Sequence, residues 1–178
     1  MATSDEIRKA LGNGVTARRA GLLREALEIL TEAAAMCSPE QGIDRAHVLR
    51  ELGELARDRQ DLQDAQARYD ESVALLRASN DRLKLAHTIR HLGDVHAERQ
   101  HWPEAERCFV EALEFYRSHP SPGALDLANA IRSYAALKTE TGQREQARVL
   151  WAEAGKLYES EGIAAGVREC QRRVDQLA

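Results

Sequence analysis

Three arginines recur at nearly equal intervals along the chain. Arg90 follows Arg50 by 40 residues, and Arg132 follows Arg90 by 42. A guanidinium group is a planar fork of N–H donors that binds carboxylates through two parallel hydrogen bonds. A regular array of these groups would therefore suit acidic side chains or a C-terminal carboxylate.

Nearby acidic residues give the same arginines a second interpretation. Glu54 and Asp94 follow Arg50 and Arg90 by four residues, which places each pair on one face of a helix. Arg132 is followed at that distance by an alanine and lacks such a partner. The arginines are therefore either a ligand-binding device or an ion-paired wall, and the sequence leaves both open.

Histidines form a second cluster with chemical potential. His87 and His91 are one helical turn apart, and such pairs can chelate zinc, copper or nickel. Arg90 beside them repels a cation, however, and no H-E-x-x-H pattern is present. We therefore expect no metal site and no cofactor, and a histidine-based metal-binding protein is the least favoured alternative.

Motifs typical of enzymes are missing from the sequence. It contains neither a glycine-rich phosphate loop nor a G-x-S-x-G elbow, so we expect no enzymatic activity. Cys37, Cys108 and Cys170 are widely separated and form no C-x-x-C pair. We interpret all three as small core residues.

Composition indicates a helical protein without a basic surface. Apolar residues make up 43% and charged residues 30%, with only 4 prolines. The net charge of -4 argues against nucleic acid or an anionic membrane as a partner. The N-terminus lacks a signal peptide and no stretch is apolar enough to span a bilayer, so we expect a soluble, cytoplasmic protein.

The chain repeats itself at intervals of about 40 residues. RELGELARDRQDLQDAQARYDES, starting at Arg50, aligns with RHLGDVHAERQHWPEAERCFVEA, starting at Arg90, and less closely with stretches starting at Leu11 and Arg132. Two small residues and one bulky residue recur in each unit. They are Gly14, Ala26 and Leu30; Gly53, Ala65 and Tyr69; Gly93, Ala105 and Phe109; and Ala135, Ala147 and Trp151.

This pattern predicts pairs of helices that cross closely at the small residues. The bulky residues would fill the space toward the neighbouring pair, so that each repeat is stabilised by the next.

These residues resemble the tetratricopeptide repeat family in its longer variety of 40 to 42 residues. The resemblance implies an all-α solenoid of four helix pairs and a C-terminal capping helix, in a single domain covering residues 1–178. The expected bounds of the repeats are about 5–38, 40–79, 81–119 and 123–160, followed by the capping helix at 163–177.

In this family the first helices of the pairs line a concave groove that binds peptides. The resemblance therefore implies a protein-binding or peptide-binding adaptor or scaffold, with polar, exposed residues along the groove. The corresponding residues here are His47, Arg50, Glu54, Arg57, His87, Arg90, Asp94, Asn129 and Arg132.

Two further interpretations stay open. The chain could instead be a sensor that binds a signal peptide or small ligand in a bacterial regulatory system. Self-association is also open, through apolar surface that Leu76, Tyr116 and Tyr158 would leave on the second helices.

Overall fold

The computed structural model describes residues 2–178, and within them it contains nine α-helices and no strand. The all-α class predicted from the sequence is confirmed. The helices are α1 (Ser4–Arg19), α2 (Leu23–Met36), α3 (Gly42–Asp58), α4 (Leu62–Arg77), α5 (Arg82–Glu98), α6 (Trp102–Ser118), α7 (Ala124–Glu140), α8 (Arg144–Ser160) and α9 (Ala164–Gln176).

Local chemistry explains where the helices begin and end. Thr3 caps α1, since its side chain accepts a hydrogen bond from the backbone N–H of Glu6 and the Glu6 carboxylate accepts one from the Thr3 backbone N–H. Gly21 and Gly142 follow the ends of α1 and α7 with positive φ. Gln60 and Gln100 adopt the same left-handed conformation after α3 and α5, with φ of 62° and 60°.

Helices within a pair meet where the sequence predicts. A Cβ atom added to Gly53 would lie 2.9 Å from the ring of Tyr69, and one added to Gly93 would lie 2.7 Å from Phe109. Leu30 covers Gly14 in the same way. Leu30, Tyr69 and Phe109 thus pack over the small residue of their own pair. Leu30 and Phe109 also share core clusters with residues of the next pair, Leu55 and Leu137, as the sequence predicts.

The chain divides into two compact units, one up to Thr88 and one from Ile89 to Ala178, with the boundary inside α5. In the first unit α1 packs on α2 and α3, and α3 packs on α4. Ile7, Leu30, Val48 and Leu55 are buried in its core. In the second unit each of α6, α7 and α8 packs on the helix that follows it.

A buried lysine joins α6 to α7 in the second unit. Lys138 is 3% exposed, and its Nζ donates to Glu106 Oε1 at 2.5 Å and to Gln143 Oε1 at 2.9 Å. The Tyr134 hydroxyl donates to the same Glu106 oxygen, and the ammonium lies 5.0 Å from the Tyr134 ring centroid. Burial disfavours the charged ammonium and by itself would lower the pKa of Lys138. The hydrogen bond to the Glu106 carboxylate and its negative charge favour the ammonium more strongly, so the pKa is raised.

The closing helix predicted at 163–177 is present as α9, and it buries one side. Cys170 is buried against α8, where its Cβ lies 3.2 Å from a Cβ added to Gly155. Val167 and Val174 are partly buried, but Ile163 is 38% exposed. Of the three cysteines only Cys170 is fully buried, because Cys37 and Cys108 lie at the edge of the core.

Leu76, Tyr116 and Tyr158 do not form the apolar surface that was expected on the second helices. Leu76, Tyr116 and Tyr158 are at most 4% exposed. Their side chains follow the buried stripe of α4, α6 and α8 inward, so the predicted route to self-association through them is wrong.

Candidate functional site

Ion pairs between first helices dominate the polar face of the first unit. Arg18 on α1 reaches three carboxylates of α3: Asp58 at 2.8 Å, Glu51 at 3.4 Å and Glu54 at 4.0 Å. Arg8, nearer the start of α1, lies 3.4 Å from Asp44. The charges on this face therefore hold α1 against α3.

Arg50 and His47 lie on the same face of α3. Arg50 pairs with Glu51 at 2.6 Å, and Glu54, the partner suggested by spacing, lies 4.0 Å from Arg18 as well. His47 is half-buried, and its Nε2 has no hydrogen-bond partner among residues 2–178. Burial lowers the pKa of His47, and the positive charges of Lys84 and Arg50 lower it further.

Arg90 was expected to be exposed, but in the second unit it is 9% exposed. Its guanidinium donates to Asp94 at 3.1 Å, which confirms the predicted pair, and contacts His91 Nε2 at 2.5 Å. A donated hydrogen bond at Nε2 requires a neutral imidazole. Arg90 is therefore already occupied by groups of its own helix.

Arg132 on α7 has a partner that its spacing did not predict. Its Nε donates to Glu169 on α9 at 3.0 Å, and this is its only hydrogen bond to residues 2–178. Burial works to lower the pKa of Arg132, but the hydrogen bond and charge of Glu169 outweigh it and the pKa is raised. The side chain is 43% exposed.

Asn129 lies one helical turn before Arg132 on the same face of α7. Its Oδ1 accepts a hydrogen bond from the Tyr158 hydroxyl at 2.7 Å. Burial raises the pKa of that hydroxyl, which therefore stays protonated and keeps donating. The amide NH₂ of Asn129 makes no hydrogen bond to the described residues, so it remains a donor beside Arg132.

The remaining predicted groove residues are less exposed than expected. Glu54, Arg57 and Asp94 are partly buried on the first helices, as is His87 near the start of α5. These residues are polar, as expected, but only partly exposed, and Glu54 and Asp94 lie in ion pairs with Arg18 and Arg90.

Metal and membrane sites are both unsupported in the described part of the chain. No group of three or more His, Cys, Asp or Glu side chains among residues 2–178 is arranged to hold a metal ion. None of the helices found there has the length and apolar character needed to cross a membrane.

Sequence reasoning missed three residues of these sites. Glu169 and Tyr158 hold Arg132 and Asn129, and Glu51 binds both Arg18 and Arg50. Glu169 directly precedes Cys170, a cysteine expected in the core. This position in the sequence was the available signal that the Glu169 side chain lies near a helix interface.

The comparisons with known proteins agree with this architecture. A family model described as tetratricopeptide repeat matches residues 44–118. Among curated proteins, none matches the sequence significantly.

Many solved structures are similar in fold, and two of them serve as examples. BtubC (BKLC) from P. vanneervenii has a TM-score of 0.74 and 15% sequence identity, over 98% of this chain and 80% of that one. A kinesin light chain-like protein of Podosopora anserina with nearly identical TPR-like repeats has a TM-score of 0.61 and 16% identity, over 99% of this chain and 97% of that one. Residues 44–118 therefore consist of tetratricopeptide repeats, within a chain that has an all-helical, TPR-like repeat fold.

Proposed function

We propose that this protein is a non-enzymatic adaptor that binds an acidic segment or a C-terminal carboxylate of a partner protein at Asn129 and Arg132. The observation that carries the proposal is the single hydrogen bond of Arg132, which uses Nε only. Both terminal amino groups are left to bind a carboxylate. Tetratricopeptide repeats generally mediate protein–protein interactions, and this supports the class of function.

The two donors are held in place before a ligand arrives. Glu169 fixes the guanidinium of Arg132 at one end, and Tyr158 fixes the amide of Asn129. A ligand therefore orders little protein when it binds, which reduces the entropic cost of association. The carboxylate would bind Arg132, and the Asn129 NH₂ would donate to a backbone carbonyl of the same segment.

The other arginines of the series have a supporting role in this proposal. Arg50 and Arg90 are already paired with Glu51 and Asp94. A ligand carboxylate would have to displace those partners, so we assign these two arginines to shaping the face. The other polar residues of the first helices would determine which partner sequences fit around the bound carboxylate. They are His47, Glu54, Arg57 and His87.

A selection from a displayed peptide library tests the proposal. The purified protein should enrich peptides with an acidic segment or a free C-terminal carboxylate, and Arg132→Gln should not. Arg107→Gln is the matched control, since Arg107 is an exposed arginine of the same unit that pairs, within residues 2–178, only with Glu104. Enrichment of peptides without acidic groups, or the same enrichment with Arg132→Gln, would refute the proposal.

A further inference from the structure

One large apolar residue of the second unit faces outward from α8. Val149 is 57% exposed, the largest fraction among the exposed large apolar residues of the described chain. The second helices of the other repeats carry Glu28, Ala67 and Arg107 at the equivalent place, two residues after the small residue that marks each of these helices. A repeat therefore does not need an apolar side chain there for its own packing.

Val149 lies in a shallow groove on the outside of α8 and α9. The groove has a volume of about 410 Å³, and Ala152 and Val174 supply the rest of its apolar surface. It lies wholly within the second unit. Because Ala152 is small, another helix can approach α8 closely at this point.

The charges around the groove are neutralised within the chain, with one exception in the described part. Arg148 pairs with Glu145 at 2.8 Å, and Glu153 pairs with Arg117 of α6 at 2.9 Å. Lys156 lines the same groove and has no carboxylate partner among residues 2–178. The side chain of Glu145 is 75% exposed, which leaves room for a second cation beside it.

Glu145 and Lys156 lie symmetrically about the apolar centre of α8. Glu145 comes four residues before Val149, and Lys156 comes four residues after Ala152. At 1.5 Å per residue, each charge lies about 6 Å beyond its apolar neighbour along the helix axis. The spacing of these four residues is the same in both directions and keeps them on one side of the helix. Two antiparallel copies of this face therefore place opposite charges against each other at both ends.

From this symmetry we propose that the chain forms a dimer in which α8 of one copy packs antiparallel on α8 of a second copy. Val149 of each copy packs on Ala152 of the other, with Val174 at the edge of the contact. Glu145 of each copy binds Lys156 of the other. Since both copies use the same patch, the contact is isologous and closes at two. One pair of helices buries less than about 1,200 Å², so the dimer is weak.

The dimer carries two copies of the site at Arg132. Neither Arg132 nor Asn129 belongs to the contact on α8. A partner with two acidic segments gains affinity from a dimer, because its second segment binds at a high effective concentration. Dimerisation is measured without a peptide, so it can fail while peptide binding stands, and the reverse.

Sedimentation equilibrium of the full chain tests the proposal. Between about 10 μM and 1 mM protein, a range that covers weak complexes, the weight-average mass should rise from that of the monomer toward that of the dimer and stop there. Val149→Gln should weaken dimerisation about tenfold or more, because each dimer loses two buried valines. A wild-type monomer at every concentration, or a mass that grows beyond the dimer, would overturn the proposal.

Exchange of the two charges tests the antiparallel arrangement. Glu145→Lys and Lys156→Glu each place like charges opposite each other, so each variant alone should dimerise more weakly than the wild type. An equimolar mixture of the two should dimerise again, because every contact then joins a lysine to a glutamate. The double variant should recover for the same reason. If neither the mixture nor the double variant recovers, the proposed contact is wrong.

Two matched controls change the net charge by the same amounts elsewhere. Glu25 is exposed in the first turn of α2, as Glu145 is in α8, and Lys9 is exposed on α1. Glu25→Lys and Lys9→Glu should dimerise like the wild type, and circular dichroism should show that all variants are helical. Loss of dimerisation in either control would show that net charge governs association and would overturn the assignment to α8.

Discussion

Glu169 on α9 accepts a hydrogen bond from Nε of Arg132 on α7 at 3.0 Å, and both terminal amino groups of that guanidinium have no partner among residues 2–178. The closing helix therefore does more than cover the end of the repeats. It holds in place the cation that we assign to ligand binding. A change in α9 should affect binding even where it leaves the core intact.

The close contact of Gly93 with Phe109 predicts a large effect of a small substitution. In Gly93→Ala the new Cβ would lie 2.7 Å from the aromatic ring, and we expect a loss of about 1–3 kcal/mol in the free energy of unfolding. Gly12→Ala is the matched control, since no atom lies within 4 Å of its added Cβ. Alanine there should stabilise α1 by about 0.5–1 kcal/mol. Urea denaturation measures both, and equal effects would contradict the packing described.

The left-handed glutamines predict a stabilising substitution. Gln60 and Gln100 have φ near +60°, a conformation that costs about 1–2 kcal/mol for a residue with a Cβ. Glycine removes this strain but loses more entropy on folding, so each substitution should give a net gain of about 0.5–1 kcal/mol. Gly142→Ala, at the equivalent turn after α7, should be destabilising. Thermal unfolding measures the three variants, and a loss of stability in Gln100→Gly would contradict this account.

The lowered pKa of His47 predicts a dependence of stability on pH. Its imidazole is buried beside Lys84 and Arg50, so the folded state binds the proton less readily than the unfolded state, where the pKa is about 6.5. The stability contributed by the neutral imidazole is fully present above that value. It falls as the pH decreases through 6.5 toward the folded-state pKa.

His47→Gln should remove this part of the pH dependence. Urea denaturation between about pH 7.5 and 5 should give a flatter profile for the variant than for the wild type. His119→Gln serves as the control, because His119 lies in the loop between α6 and α7. Parallel profiles for wild type and His47→Gln would show that His47 does not titrate as described.

The buried ammonium of Lys138 predicts unequal effects at the two ends of its ion pair. Glu106→Ala leaves this charge without its carboxylate, and because the Glu106 side chain is 42% exposed we expect a loss of about 1–2 kcal/mol. Lys138→Met removes the charge together with the free-energy cost of burying it, and should change the stability by less than about 1 kcal/mol. A double-mutant cycle by urea denaturation measures the coupling. A larger loss in Lys138→Met than in Glu106→Ala would contradict this explanation.

Much of the fold could be predicted because it depends on residues that recur. The small residues Gly14, Gly53 and Gly93 mark each crossing with the following helix, and their spacing is visible without coordinates. Turn positions such as Gln60 and Gln100 recur in the same way. Periodicity also identified α9, because its apolar stripe includes Cys170.

The partners of the polar residues could not be predicted in this way. Spacing within one helix correctly paired Arg90 with Asp94, but it suggested no partner for Arg132, since Glu169 lies on another helix and outside the repeated pattern. The low exposure of Arg90 was missed for a related reason. A periodic pattern shows which residues face the same side, but it does not show how closely the next helix covers them.

The most direct test of the account is the affinity of an acidic peptide, obtained from the displayed library, for variants of Arg132. By isothermal titration calorimetry Arg132→Gln should bind at least tenfold more weakly than the wild type, which corresponds to about 1.4 kcal/mol. Arg132→Lys should also lose affinity, because an ammonium cannot form the paired hydrogen bonds of a guanidinium. Arg107→Gln should bind like the wild type, and urea denaturation should show that all variants are folded. Unchanged affinity in a folded Arg132→Gln would contradict the central claim.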